Sequence, residues 1–283
     1  MRKVLVVLVV AVLVVSAALF AASCGGNVDV PGTVWANKEV CEYGIYNSDN
    51  LPVGALIIVT ERLSAGEQTL NATGAKVNIT SSSARGTRVT MKASDLDGNV
   101  WLESESILNG FTPAASYRKV SKDGENYTVT ATYDGKNYRY RLNDGEEKKI
   151  RVKSGFIDNE LLYTVVRCYT IESAYSSEFT VVDPVAGTKE KITAATFGEG
   201  DYQDPVEVIS SGEEAETKHS LSFTRLSFTR SDSPVGASMY ADYTKIDGLK
   251  VLGEGSTGLY SVRIPVQIVE NDLVYKLVSV QCE

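Results

Sequence analysis

Histidine is almost missing from this chain: His219 is the only one in 283 residues. That excludes a metal site built on paired imidazoles, and a serine-type triad would have to run through this one ring. Its setting, Lys218 and Ser220 behind the acidic stretch Glu213-Glu214-Ala215-Glu216, reads as the exposed start of a strand. Cysteine is scarce as well. Cys24, Cys41, Cys168 and Cys282 contain no C-x-x-C spacing, so zinc is not expected. Positive charge is in deficit, with 28 Lys and Arg against 36 Asp and Glu, which argues against a nucleic-acid partner. Also missing are a nucleophile elbow, a glycine-rich phosphate loop and a close carboxylate pair in a strand–turn–helix setting. Asp95-Leu96-Asp97-Gly98-Asn99 lacks the ligand spacing and distal glutamate of a calcium loop and reads as a hairpin turn. No catalytic residue, metal or cofactor is expected, and the chain reads as non-enzymatic.

What is present begins with a long apolar run at the N-terminus. Arg2 and Lys3 precede Val4 to Val15, and small residues follow as far as Ser23. A basic start, an apolar middle and small residues before a cut make an export signal. Leu19-Phe20-Ala21-Ala22-Ser23-Cys24-Gly25-Gly26 resembles a bacterial lipoprotein signal, in which a peptidase cuts before a cysteine that receives diacylglycerol. Ala21 stands where such signals usually carry leucine. A transmembrane helix and an ordinary secretory signal are the competing readings. Neither accounts for a cysteine set directly after small residues and before two glycines.

The resemblance implies a signal peptide over residues 1–23, a lipidated Cys24 with its tether over 24–37, and a single domain over 38–283. It implies an exported body, anchored by its lipid to the cell membrane or the outer membrane. Gly25, rather than an aspartate, resembles cargo passed on to an outer membrane. Cutting before Cys24 leaves 26 basic and 36 acidic side chains, a net charge of −10, so acyl chains and not charge hold the body to lipid. In an oxidising envelope two of Cys41, Cys168 and Cys282 can form a disulfide, and spacing leaves the pair open.

From Lys38 the apolar period is two. Cys41, Tyr43 and Ile45 share one side of a strand, Leu51-Pro52-Val53-Gly54 turns the chain, and Ala55 to Leu63 is a second strand. A meander from Tyr117 to Val152 carries Asp-Gly at positions 123, 134 and 144, the dipeptide of tight turns. Tyr127, Val129, Ala131 and Tyr133 alternate with threonines, and Tyr138, Tyr140 and Leu142 alternate with Arg139 and Arg141. One face is thus aromatic and aliphatic, the other hydroxyl and guanidinium. A helix of about ten residues follows, capped by Asp158 and carrying Leu161, Leu162, Val165, Val166 and Cys168 at helical spacing. Gly198 to Glu216 reads as a polar loop. The five-residue repeat of Ser-Phe-Thr-Arg at 222 and 227 inverts the strand face and reads as a bulged strand. Leu259 to Val269 and Leu273 to Val280 form a closing hairpin. The fold class is all-β with minor α: a strongly curved antiparallel sheet or unclosed β-barrel of about eleven strands, with one covering helix.

Three places resemble the half-barrels of LolA, LolB and LppX, and an uncharacterised envelope family named domain of unknown function 3108. They are Glu39 to Gly54, Asp158 to Arg167, and Tyr240 to Val280 with Asp242 and Arg263-Ile264-Pro265-Val266. The resemblance implies an unclosed barrel whose concave face, plugged by a helix, holds an acyl chain or another apolar ligand. Tyr43, Tyr127, Tyr133, Tyr138, Tyr140, Leu161 and Val165 are the candidates to line such a pocket, or else to fill a core. Two functions compete. In one, a membrane-anchored envelope lipoprotein binds lipid in its cavity. In the other, an interaction or adhesion module with a packed interior meets a protein or glycan.

Overall fold

The computed structural model describes residues 36–80, 86–122, 124–169, 171, 174–210, 213–231, 239–245, 249–252 and 259–283. The expected signal peptide, Cys24 and the tether as far as residue 35 lie outside the described residues. No helix among the described residues is long and apolar enough to cross a membrane.

Strand β1 (Lys38–Asn47) turns Glu39, Cys41, Tyr43 and Ile45 inward, as its period predicts. It pairs antiparallel with β2 (Pro52–Leu63), so the turn lies at residues 48–51, with Asn50 at φ 59°, and not at Pro52. A small outlying hairpin, β3 (Gly66–Thr69) and β4 (Lys76–Ile79), follows. The chain then meanders through β5 (Gly86–Asp95), β6 (Val100–Asn109), β7 (Thr112–Lys122), β8 (Glu125–Tyr133), β9 (Asn137–Leu142) and β10 (Lys148–Arg151). Each pairs antiparallel with the next, and β5 pairs back onto β2. Gly98, Gly124 and Gly135 take positive φ in the Asp-Gly turns. In the turn at Asp144-Gly145, Asn143 and not Gly145 occupies the left-handed region.

The second half begins with β11 (Ile157–Asp158), a turn of 3-10 helix (Asn159–Leu161) and α1 (Leu162–Val166). Then come β12 (Ser176–Asp183), β13 (Thr188–Tyr202), β14 (Val206–Ser210), β15 (Glu216–Lys218), β16 (Leu221–Arg230) and β17 (Tyr240–Thr244). A short hairpin, β18 (Lys250–Leu252) and β19 (Leu259–Ser261), precedes β20 (Pro265–Glu270) and β21 (Leu273–Cys282). β21 closes back on β1, β20 on β17, β17 on β16, β16 on β13 and β13 on β12. Among the described residues seventeen strands belong to this one sheet, more than the eleven expected. The ladder runs from β10 through β1 to β12, on whose far side β11 pairs parallel, and among the described residues no ladder joins β10 to β11 or β12. The barrel is therefore open along one seam.

Three expectations give way to a physical reason. Gly198 to Glu216 is not a loop: β13 runs on to Tyr202, and β14 pairs parallel with β21. Val206, Val208 and Ser210 are buried around exposed Glu207, an alternation hidden by acidic neighbours. The bulge expected in the Ser-Phe-Thr-Arg repeat lies on the partner strand, between Thr196 and Gly198, where Phe197 is thrown outward. The helix is also shorter than expected. Asp158 caps the 3-10 turn that leads into it, accepting from the Glu160 amide at 3.2 Å, but all of Leu161 to Cys168 is buried. A segment hidden on every side is a plug within the sheet and not a cover on its edge. Leu161, Leu162, Val165 and Val166 join Tyr43, Ile58, Met91, Val181, Leu226 and Ile264 in one core.

Candidate functional site

Ionic clasps fasten the plug to the wall. At its C-terminal end Arg167 donates twice to Glu39 of β1, Nη1 to Oε2 at 2.8 Å and Nη2 to Oε1 at 2.9 Å. Thr60 of β2 donates to the same carboxylate at 3.1 Å. Arg263 donates to the carbonyl oxygens of Arg167 at 3.0 Å and Tyr169 at 2.5 Å. At the N-terminal end Arg118 of β7 donates to Asp158 at 2.7 Å, and its Nε lies 2.9 Å from Glu160. The Tyr138 hydroxyl also donates to Asp158, and Ser116 stands 2.9 Å from that hydroxyl. Glu39, Asp158, Arg167, Asp242 and Arg263, the residues that carry the family resemblance, are all buried. Buried charge needs a partner, and here every carboxylate has its arginine, Asp242 taking Arg225 at 2.6 and 2.7 Å. This is fastening; the groups are already engaged with one another.

Between α1 and the walls of β2, β5, β6 and β20 lies an apolar pocket of about 80 Å³. Leu56, Ile58, Met91, Ala93, Trp101 and Leu102 form one side, and Glu160, Tyr163, Glu270 and Tyr275 close the other. Among the described residues the buried Tyr163 hydroxyl has no hydrogen-bond partner. Burial, and then the neighbouring Glu160, pushes the Glu270 carboxyl up to about 7, against the pull of Arg230. The folded chain holds this proton where the unfolded chain has released it. Its contribution to stability is therefore full below the ordinary glutamate pKa and is lost as pH rises towards 7. Glu270→Gln is expected to reduce that loss by about 1 kcal/mol, the linkage being weakened by the carboxylate's partial contact with water. Urea unfolding at pH 5 and pH 8 measures it.

The seven residues expected to line a pocket are placed elsewhere. Tyr43 donates to the Pro265 carbonyl at 2.9 Å inside the core, and Leu161 and Val165 are buried in the plug. Tyr133 and Tyr138 pack edge-on against Phe156 at 5.1 and 5.2 Å, and Tyr140 joins their cluster. Tyr127 is half-buried, close to Arg118. The apolar pocket is lined by other side chains. Trp101, Met91, Tyr163 and Glu270 went unsignalled because four strands and the plug, far apart in sequence, bring them together. The expected disulfide does not form among the described residues: Cys41, Cys168 and Cys282 are free and buried. Cys41 faces Val280 and Cys282 faces Glu39, a diagonal offset of two residues. Diagonal partners lie about 7–8 Å apart, beyond the usual span of a disulfide. Burial, with Glu39 nearby, pushes the Cys41 thiol up to about 12, which keeps it unreactive.

No family model matches the chain, and no curated protein matches it. Among solved structures it is similar to one titled a beta-barrel-like protein of domain of unknown function DUF1849 from Brucella abortus. The identity is 10%, the TM-score is 0.43, and the match covers 87% of this chain and 98% of the other.

Proposed function

We propose that this chain is a non-enzymatic binding protein of the cell envelope, held to a membrane through lipid on Cys24, that meets its partner on the outside of its barrel. The filling of the interior carries this reading. Plug and wall leave about 80 Å³ between them, whereas pockets that enclose a drug-sized ligand measure about 300–1,000 Å³. The interior then works as a scaffold that holds the outer strands and loops in place for a protein or glycan partner. The second reading, binding of a lipid or other apolar ligand as in the LolA-like half-barrels, is favoured by the apolar wall at Met91 and Trp101. That pocket accommodates the tip of a chain and not its length.

One variant addresses both parts. The exported Cys24→Ser chain is expected to leave the membrane fraction, and an unchanged distribution would refute the anchor. Once released, it is expected to show no saturable uptake of a fluorescent fatty acid. Saturable uptake would mean that the plug gives way to ligand, and the scaffold reading would fall.

A further inference from the structure

The open seam between β10 with the residues after it and the edge formed by β11, β12 and β13 holds a cleft of about 930 Å³. On β10 and the residues after it, Ile150 and Val152 point inward, so Arg151 and Lys153 point out. On the opposite bank, Ile192 and Ala194 of β13 point inward, so Lys189 and Lys191 point out. Lys136, whose carbonyl accepts from the Val152 amide at 3.0 Å, adds a further cation. Of the nearby acids, Glu178 pairs with Lys191 at 2.8 Å and leaves Lys189 as the unneutralised cation of that bank, while Glu190 is engaged with Arg230, and Asp134 and Glu147 with Arg139. Among the described residues Lys136, Arg151 and Lys153 have no carboxylate within 4.0 Å, and Lys189 donates only to the Arg151 carbonyl at 2.9 Å. Lysines are a common means of blunting a free strand edge, and a single basic strand would need no more explanation than that. Here two facing banks aim cations into one cleft, on a mature body whose net charge is −10. A concentrated field of the opposite sign, walled by protein, gathers counter-ions.

We propose that this seam binds a multiply phosphorylated anion. Four cations without carboxylate partners call for about as many negative charges, which one carboxylate or one phosphate diester does not supply. Val152 and Phe156 form a firm apolar floor, both buried, beneath the charged rim. The proposal rests on the reading that ligands are met on the outside of the barrel. It can fail alone, however, since the absence of fatty-acid uptake would leave that reading standing.

The test titrates the soluble Cys24→Ser chain with tripolyphosphate and, separately, with a water-soluble short-chain cardiolipin, at about 50 mM salt, where screening is weak. Saturable binding of tripolyphosphate alone assigns a soluble polyanion, binding of the lipid alone assigns a headgroup, and binding of both assigns the shared phosphate chemistry. Binding of neither overturns the proposal. Arg151→Glu with Lys189→Glu is expected to weaken binding by about tenfold or more. Lys92→Glu with Lys119→Glu changes the net charge equally on distant strands and is expected to alter it less than about twofold. Equal losses in the two double variants would assign the binding to bulk charge and also overturn the site.

Discussion

Arg167→Ala is expected to destabilise the barrel by about 3–5 kcal/mol, the largest loss we expect from a single polar residue here. The carboxylate of Glu39 is wholly buried, and Arg167 supplies both of its charged hydrogen bonds. Without the guanidinium, Glu39 keeps the Thr60 hydroxyl and a weak contact of 3.4 Å from the Ala36 amide. Neither neutralises a charge that cannot reach water. Thermal unfolding should fall by roughly 6–20 °C, at about 2–4 °C per kcal/mol for a domain of this size. Arg167→Lys is expected to lose much of the same stability, because an ammonium cannot reproduce the two-pronged contact. The double variant Glu39→Gln with Arg167→Met removes both charges and should recover a large part of the loss. A single variant within about 1 kcal/mol of the parent chain would show that the clasp fastens nothing.

This clasp also marks how far the sequence was legible. Asp158 stood out as a helix cap, and Glu39 and Arg167 only through the resemblance to a family; the structure joins Glu39 to Arg167 across the whole meander. Strand alternation was readable wherever one face meets the core, as in β1, where Cys41, Tyr43 and Ile45 all turn inward. It failed in β14, where three short buried residues sit among acidic ones and composition masks the period. The plug was legible as a helix, but its periodicity gave only a covering element, and the setting inside the barrel came from the resemblance alone. Leu161 to Val166 lacks a polar face because every side is buried, and periodicity cannot tell a segment inside a barrel from one laid across its mouth. The tyrosines stayed open between lining and filling for a related reason. A ring directed at the concave face fills space or lines it depending on what packs opposite, and for Tyr133 and Tyr138 that is Phe156, a distant residue. The cations of the seam were visible as Lys148-Lys149-Ile150-Arg151-Val152-Lys153, yet nothing local announced that Lys189 and Lys191 face them.

Tyr163→Ala should have the second large effect, and it tests whether the small pocket can become a real one. The ring lines the space between α1 and the wall and packs edge-on against Phe228 at 5.1 Å. Truncating a large buried side chain to alanine costs about 3–5 kcal/mol, part of it for the cavity left behind. The backbone link nearby is untouched, since the Tyr243 hydroxyl donates to the Tyr163 carbonyl at 2.9 Å. The new space opens onto Leu56, Ile58, Met91 and Ile268, an apolar wall that should accept benzene, with the Glu160 and Glu270 carboxyls confined to its other side. Saturating benzene, at about a hundred times its dissociation constant, should then return close to 2.7 kcal/mol of the lost stability. Tyr163→Phe supplies the comparison. It keeps the ring and removes only a buried hydroxyl without a partner, so stability should hold or rise by about 1 kcal/mol, with no response to benzene. Thermal unfolding of both variants with and without benzene makes the measurement. An alanine variant that loses little and ignores benzene would mean that the plug settles into the gap, which a barrel clasped at both ends of its plug should not allow.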